Sequence, residues 1–210
     1  VGETDFMGLR IRCDRRALIP RPETELLVGC AEEFLATRPG APAVVDVCTG
    51  TGCIACALAR RVPRARVSAT DISADALALA AENARELGVD VAWRQADLLD
   101  GFSAGGTELV VSNPPYVRRD ECERLPRTIR DFEPRLALDG GLDGLAVISR
   151  LVEGAAHVLT SGGWLMMEIG DDQADAVMEM LCRNPRFKNP TRRFDFAGRA
   201  RVAIAERISE

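Results

Sequence analysis

The chain has a single histidine, His157, which excludes any metal site built from several imidazoles. Its seven cysteines are an odd number. They are scattered and lack the two CxxC pairs of a four-cysteine zinc site, so no bound metal is expected. Cys53 and Cys56 sit inside apolar runs, where a reduced thiol behaves as a small hydrophobe. That pattern suits a cytoplasmic protein with free thiols. Apolar stretches such as "GCIACALA" are far too short to span a bilayer. No basic-then-apolar leader opens the chain, so no export signal is expected. Internal repeats and low-complexity tracts are missing. So is a basic field: the formal net charge is -5 and the pI is about 5.1. A protein whose main ligand is a phosphate backbone usually carries the opposite balance. The basic clusters "RRVPRAR" (60–66) and "RNPRFKNPTRR" (183–193) read as solvated surface, and no stable nucleic-acid binding is expected.

What is present is an alternating pattern. With 210 residues, 47% of them hydrophobic, the chain suits one domain with a substantial core. Strands are predicted at 43–47, 66–71, 89–97, 107–113 and 162–170. Helices are predicted at 53–62, 73–87, 144–159 and 171–183. Ser73 is placed to cap the second helix and Gly88 to stop it. Two strand-like stretches around Gly198 close the chain as a hairpin. Alternation of this kind implies right-handed crossovers and a mostly parallel sheet covered on both faces. The terminal hairpin adds an antiparallel edge. Ligands bind such sheets at the carboxyl ends of the strands, where strand order reverses. Four polar motifs fall at those ends.

The first is "DVCTGTG", from Asp46 through Cys48, Thr49, Gly50 and Thr51 to Gly52. Glycines in a strand-to-helix turn let the backbone approach a ligand, and the helix start offers free N–H groups. Neither G-x-G-x-x-G nor the P-loop spacing is present. A tight turn that needs glycine for its backbone angles is the plainer reading. The second motif is Asp71, followed by Ile72. An acid about 20 residues past the glycine turn can accept from both hydroxyls of a ribose; it could also simply precede the helix as a cap. The third is Asp97 with Leu98, suited to an adenine amino group and ring face, or equally a plain loop carboxylate. The fourth is Asn113-Pro114-Pro115-Tyr116. Prolines have no N–H, so this turn is rich in acceptors and poor in donors. It suits a planar –NH2: one hydrogen to the Asn113 side-chain oxygen, the other to the Pro114 carbonyl, with Tyr116 against the face. Holding both hydrogens favours pyramidalisation of an amide nitrogen, which is otherwise a poor nucleophile. The electrophile implied beside an adenosine site is the sulfonium methyl of S-adenosylmethionine.

"NPPY" after a fourth strand, with "DVCTGTG" and "TDIS" before it, resembles the class I S-adenosylmethionine-dependent methyltransferases acting on planar nitrogen. "FMGLRIRCDRRALIPRPETELLV" (6–28) and "FEPRLALDGGLDGL" (132–145) resemble, more narrowly, the HemK-like release-factor glutamine methyltransferases. "MEIGDDQ" (167–173) and "DFAGRARV" (195–202) fit them too. The resemblance implies a Rossmann-like α/β fold: a seven-stranded, mostly parallel sheet with a C-terminal antiparallel hairpin, preceded by a short β-hairpin. Residues 1–21 would be the hairpin and linker remnant and 22–210 the methyltransferase domain. It implies methylation of a glutamine side-chain amide in the Gly-Gly-Gln loop of peptide-chain release factors, with S-adenosylhomocysteine as product. Asp46, Cys48 to Gly52, Asp71, Ile72, Asp97, Leu98 and Asn113 would bind the cofactor. Asn113, Pro114 and Tyr116 would be catalytic, and Asn113 to Tyr116 with Arg21 and Glu23 would hold the substrate. Two departures stand out. Cys48 occupies the place where the family usually has glycine. Family members also usually carry a helical domain before the hairpin, and this chain starts almost at the hairpin. The same acceptor turn also serves methylation of adenine's exocyclic amine in nucleic acid, or of a small-molecule amide or amine. The charge balance counts against the nucleic acid.

Overall fold

The computed structural model describes residues 2–208. Val1, Ser209 and Glu210, which the division at residue 21 takes in, lie outside the described residues. Met7 and Gly8 both take positive φ (54° and 79°), as a two-residue hairpin turn requires. They join β1 (Glu3–Phe6) to antiparallel β2 (Leu9–Arg12). The chain then forms α1 (Thr24–Ala36), to which the sequence reading assigns no element. Its buried Leu27, Val28, Ala31 and Leu35 follow a helical period. The closely spaced prolines before it mask that signal.

From there the alternation runs as expected. β3 (Ala43–Val47) leads to α2 (Cys53–Arg61), and β4 (Arg66–Asp71) to α3 (Ala74–Leu87). The Ser73 hydroxyl accepts from the Ala76 N–H, and Gly88 ends α3 at φ 65°. β5 is short, Ala92–Gln95, because Val89 to Val91 serve as its entry loop. After β6 (Thr107–Ser112) a long connection carries the one-turn helices α4 (Arg119–Cys122) and α5 (Arg127–Arg130). α6 (Ala146–Val158), β7 (Leu159–Glu168) and α7 (Ala174–Arg183) follow. α7 starts later than expected because the Gln173 side chain turns back to accept from the Gly170 N–H. β8 (Phe187–Phe194) and β9 (Ala200–Arg207) form the closing hairpin.

The seven-stranded sheet runs β5-β4-β3-β6-β7-β9-β8. All pairings are parallel except those of β9. Alternate residues of the central strands feed two cores. Val44, Leu109, Val111 and Met166 pack with α1, α2 and the N-terminal hairpin. Val45, Val110, Leu165 and Met167 pack with α6 and α7. Strand order reverses between β3 and β6, so the carboxyl ends of β3, β4 and β6 meet at one rim. Among the described residues no helix is long and apolar enough to cross a membrane, and no group of three metal-ligating side chains forms.

Candidate active site

Beyond β3 the backbone takes positive φ at every second residue: Cys48 (59°), Gly50 (56°) and Gly52 (78°). Glycine does this freely. A residue with a Cβ pays about 1–2 kcal/mol, so Cys48 sits strained at the head of the turn. Asp46 is fully buried within β3. Its Oδ2 accepts from the Thr49 hydroxyl (2.5 Å) and the Ala55 N–H (3.2 Å). It therefore ties the turn to the start of α2. Its Oδ1 has no partner, and burial raises its pKa to about 7. Asp71 ends β4, with Oδ2 accepting from the Gly50 N–H and Oδ1 from the Ser73 N–H, both at 2.9 Å. Burial raises its pKa as well. Each oxygen keeps a lone pair, the arrangement needed to meet two vicinal hydroxyls.

A pocket opens over these strand ends. Cys48, Thr49, Gly50, Thr51, Asp71, Ile72, Asp97, Leu98, Asn113 and Pro115 all line it. Asp46 and Gly52 do not; they shape the turn from behind, Gly52 lying close against Ala80 and Trp93. Ile72 is half exposed, and with Leu98 it gives apolar flanks for a flat ring. The Arg150 guanidinium of α6 donates to Asp97 Oδ2 at 2.8 Å, a partner that the sequence did not suggest. The carboxylate with two free lone pairs, the apolar flanks and the amide-lined turn fit an adenosine-bearing cofactor.

Asn113 also lines a second, smaller pocket, with Pro114, Tyr116 and Arg21. Its other walls are aliphatic: Leu18, Val117, Leu125, Ile129, Ala137 and Leu138. The two pockets share Leu18, Asn113 and Ala137 as walls. Behind Asn113 lies a chain of hydrogen bonds. Asn113 Nδ2 donates to Thr24 Oγ1 (3.1 Å), and the Thr24 hydroxyl donates to Glu168 Oε2 (2.6 Å). The Tyr116 hydroxyl donates to Glu168 Oε1 (3.1 Å). Thr24 and Glu168 are each 2% exposed. Burial raises the pKa of Glu168, and burial followed by the nearby Glu168 charge raises that of Tyr116.

The stretches flanking the turn grip it. Arg21 Nη2 donates to Glu133 Oε1 at 2.6 Å, with the Glu133 side chain 3% exposed, so "PRPETE" and "FEPRLAL" are joined by an ion pair. Gln173 Nε2 donates to the carbonyls of Tyr116 and Gly144. A Cβ at Gly144 would come within 2.4 Å of the Tyr116 carbonyl, so only glycine lets this loop close on the turn. Glu23 stands at the N-cap of α1 and lines neither pocket. Sequence reasoning missed Thr24, Glu133, Arg150, Glu168 and Gln173 as individual residues. Four of them lie in quoted motifs, but nothing in the spacing pairs them. Arg150 lies outside those motifs.

Comparison with known proteins bears on the whole chain. The model of the methyltransferase small domain family matches residues 23–142. The release factor glutamine methyltransferase of Geobacter sulfurreducens is 42% identical over 183 residues, 87% of this chain and 63% of the relative. That of Moorella thermoacetica is 42% identical over 211 residues, 100% of this chain and 74% of the relative. The chain thus spans roughly two thirds to three quarters of their length. A crystal structure of a release-factor-specific protein-(glutamine-N5) methyltransferase from Alicyclobacillus acidocaldarius superposes with a TM-score of 0.56 at 29% identity. It covers 91% of this chain and 95% of that one. With this fold, and with relatives this similar along almost its full length, the chain belongs to the release factor glutamine methyltransferase family.

Proposed function

We propose that this chain transfers a methyl group from S-adenosylmethionine to the side-chain amide nitrogen of a protein glutamine, that of the Gly-Gly-Gln loop of peptide-chain release factors. The observation that carries the reading is the position of Asn113, the one polar side chain that lines both pockets. One pocket has the shape and chemistry of an adenosine site. The other is smaller and mostly aliphatic, which suits the methylenes of a glutamine, with Tyr116 as the aromatic residue among its described walls. The relatives' names point to the same substrate. A release factor as partner implies work in the cytoplasm.

S-adenosylmethionine, when bound, supplies a methyl group activated on a sulfonium sulfur. Asp71 would hold the ribose hydroxyls, the turn from Cys48 to Thr51 the amino-acid part, and Ile72 and Leu98 the adenine faces. Arg150 occupies one oxygen of Asp97, so an adenine amino group would meet the other. On the substrate side, Asn113 Oδ1 and the Pro114 carbonyl would take the two amide hydrogens. Tyr116 would lie against the amide face. Both acceptors gain strength as positive charge develops on nitrogen, which is stabilisation by a preorganised polar site. The aliphatic walls of the smaller pocket would align the nitrogen with the methyl. Arg21 contributes by fixing Glu133 and the segment over the pocket. We also infer that the 1–21 segment braces this domain: Asn83 of α3 accepts from the Arg12 N–H and donates to the Thr51 carbonyl of the turn.

Radiolabelled methyl transfer tests the reading. Release factor should take label, and the same factor with its loop glutamine changed should not. DNA and tRNA should stay unlabelled. Label in the glutamine-changed factor, or in nucleic acid alone, would overturn it.

A further inference from the structure

Asparagine's amide oxygen and nitrogen are nearly the same size, so an unheld side chain can flip. A flipped Asn113 would turn its own –NH2 towards the substrate –NH2, two donors facing each other. Something must fix the orientation. We infer that Thr24 and Glu168 are positioning residues: a relay that locks the Asn113 amide with its oxygen towards the acceptor nitrogen. For the identity of that acceptor the inference rests on the function proposed above; for the relay itself it does not.

The logic is a count of hydrogens. A threonine hydroxyl has one hydrogen and two lone pairs. Glu168 is buried, but the Thr24 and Tyr116 hydroxyls and the nearby Arg201 favour its ionised form, and an ionised carboxylate can only accept. Thr24 therefore spends its hydrogen on Glu168 Oε2, at 2.6 Å. What it can still offer Asn113 at 3.1 Å is a lone pair. The amide atom facing Thr24 must then be Nδ2, and Oδ1 is left for the pocket. Tyr116 is held from the other oxygen of the same carboxylate, so one buried acid sets both ends of the acceptor turn. No Lys or Arg hydrogen-bonds Glu168 among the bonds that hold it. Its charge polarises Thr24 and, through it, Asn113, which makes Oδ1 a stronger acceptor. The three segments come from distant parts of the chain: the first residue of α1, the last residue of β7 and the exit of β6. Thr24 is almost wholly buried as the first residue of α1, after the N-cap Glu23, and its hydroxyl bonds Glu168 and Asn113.

Thr24→Val removes the hydroxyl at nearly constant volume, and Thr24→Ser keeps it. For Thr24→Val, kcat should fall by roughly 10- to 100-fold, the scale of one lost orienting hydrogen bond in a polar site. KM for release factor and cofactor affinity by calorimetry should stay within about three-fold. Thr24→Ser should recover kcat to within about three-fold of the wild type. A second readout needs no acceptor: the Asn113 side-chain amide by nuclear magnetic resonance. One of its hydrogens should be protected from exchange in the wild type and in Thr24→Ser, and unprotected in Thr24→Val. Unchanged kcat in Thr24→Val, equal losses in both variants, or the same Asn113 signal in all three would overturn the relay. If the wild type leaves release factor unlabelled while the Asn113 signal follows this pattern, the relay is supported and the substrate reading fails.

Discussion

The two sides of the rim are built from different kinds of contact. On the cofactor side most contacts are short-range or join neighbouring strands, although Arg150 reaches Asp97 across 53 residues. Thr49 reaches Asp46 across three residues, Ser73 reaches Asp71 across two, and Gly50 reaches Asp71 across 21. On the acceptor side they cross the whole chain. Tyr116 and Glu168 are 52 residues apart, Asn113 and Thr24 89, Arg21 and Glu133 112, and Thr24 and Glu168 144. The glycine turn and Asp71 are what one strand-turn-helix-strand unit can supply; Asp97, Leu98 and Arg150 join them from beyond it. The acceptor side exists only when α1, β6, β7 and the segment after β6 have all packed. Cofactor binding and methyl transfer should therefore respond separately to mutation.

The sharpest way to break that division is Asn113→Ala. Turnover should fall by at least ~100-fold, the scale of one lost transition-state hydrogen-bond partner, while cofactor affinity by calorimetry stays within several-fold. Equal losses of both would mean that the two sides act as one. Asp71→Ala should give the converse. It removes the proposed acceptor for the ribose and leaves the Gly50 and Ser73 N–H groups without this partner. Cofactor affinity should drop by roughly 10- to 100-fold, as for hydrogen bonds to a charged group.

Asp46 sharpens the cofactor side alone, through pH. Its folded pKa of about 7 lies above its ordinary 3.8. Its contribution to stability is thus fully present below about pH 4 and is lost as pH rises through about 7. Asp46→Asn removes that dependence. Across this interval the wild type should lose on the order of 4 kcal/mol relative to the variant, at about 1.4 kcal/mol per pH unit, read as the difference between their melting temperatures at several pH values. Parallel curves would mean that Asp46 does not titrate in this range. The smallest effect is expected from Cys48→Gly. Relief of the positive φ is worth about 1–2 kcal/mol, partly offset by glycine's extra freedom in the unfolded chain. A net gain of about 1 kcal/mol would raise the melting temperature by about 2–4 °C. A fall would show that the thiol's contacts in the turn outweigh the strain.

The same contrast explains what could be read in advance. The alternation of β-branched runs with alanine-rich segments was enough for the parallel sheet, and the strand exits located the rim. Asp71 could be singled out as a candidate because its distance from the glycine turn is a property of one local unit. Asn113 to Tyr116 could be singled out as candidates because two prolines strip donors from a turn, which is chemistry visible in four letters. Thr24 and Glu168 carry no such mark. A threonine beginning a helix usually reads as a cap, and a glutamate ending an apolar strand as an exit to solvent. Their meeting depends on the order β6-β7 in the sheet and on α1 lying across those strands. α1 itself was hidden by the prolines ahead of it. Arg150, one helix away from Asp97, is legible only once α6 is seen to cover the same rim.

The most direct measurement is a crystal structure with S-adenosylhomocysteine and a peptide containing Gly-Gly-Gln bound together. The account predicts the glutamine amide nitrogen within hydrogen-bond distance of Asn113 Oδ1 and the Pro114 carbonyl, with Tyr116 against its face and the ribose on Asp71. A glutamine bound away from Asn113, or an Asn113 side chain presenting its nitrogen to the peptide, would contradict it.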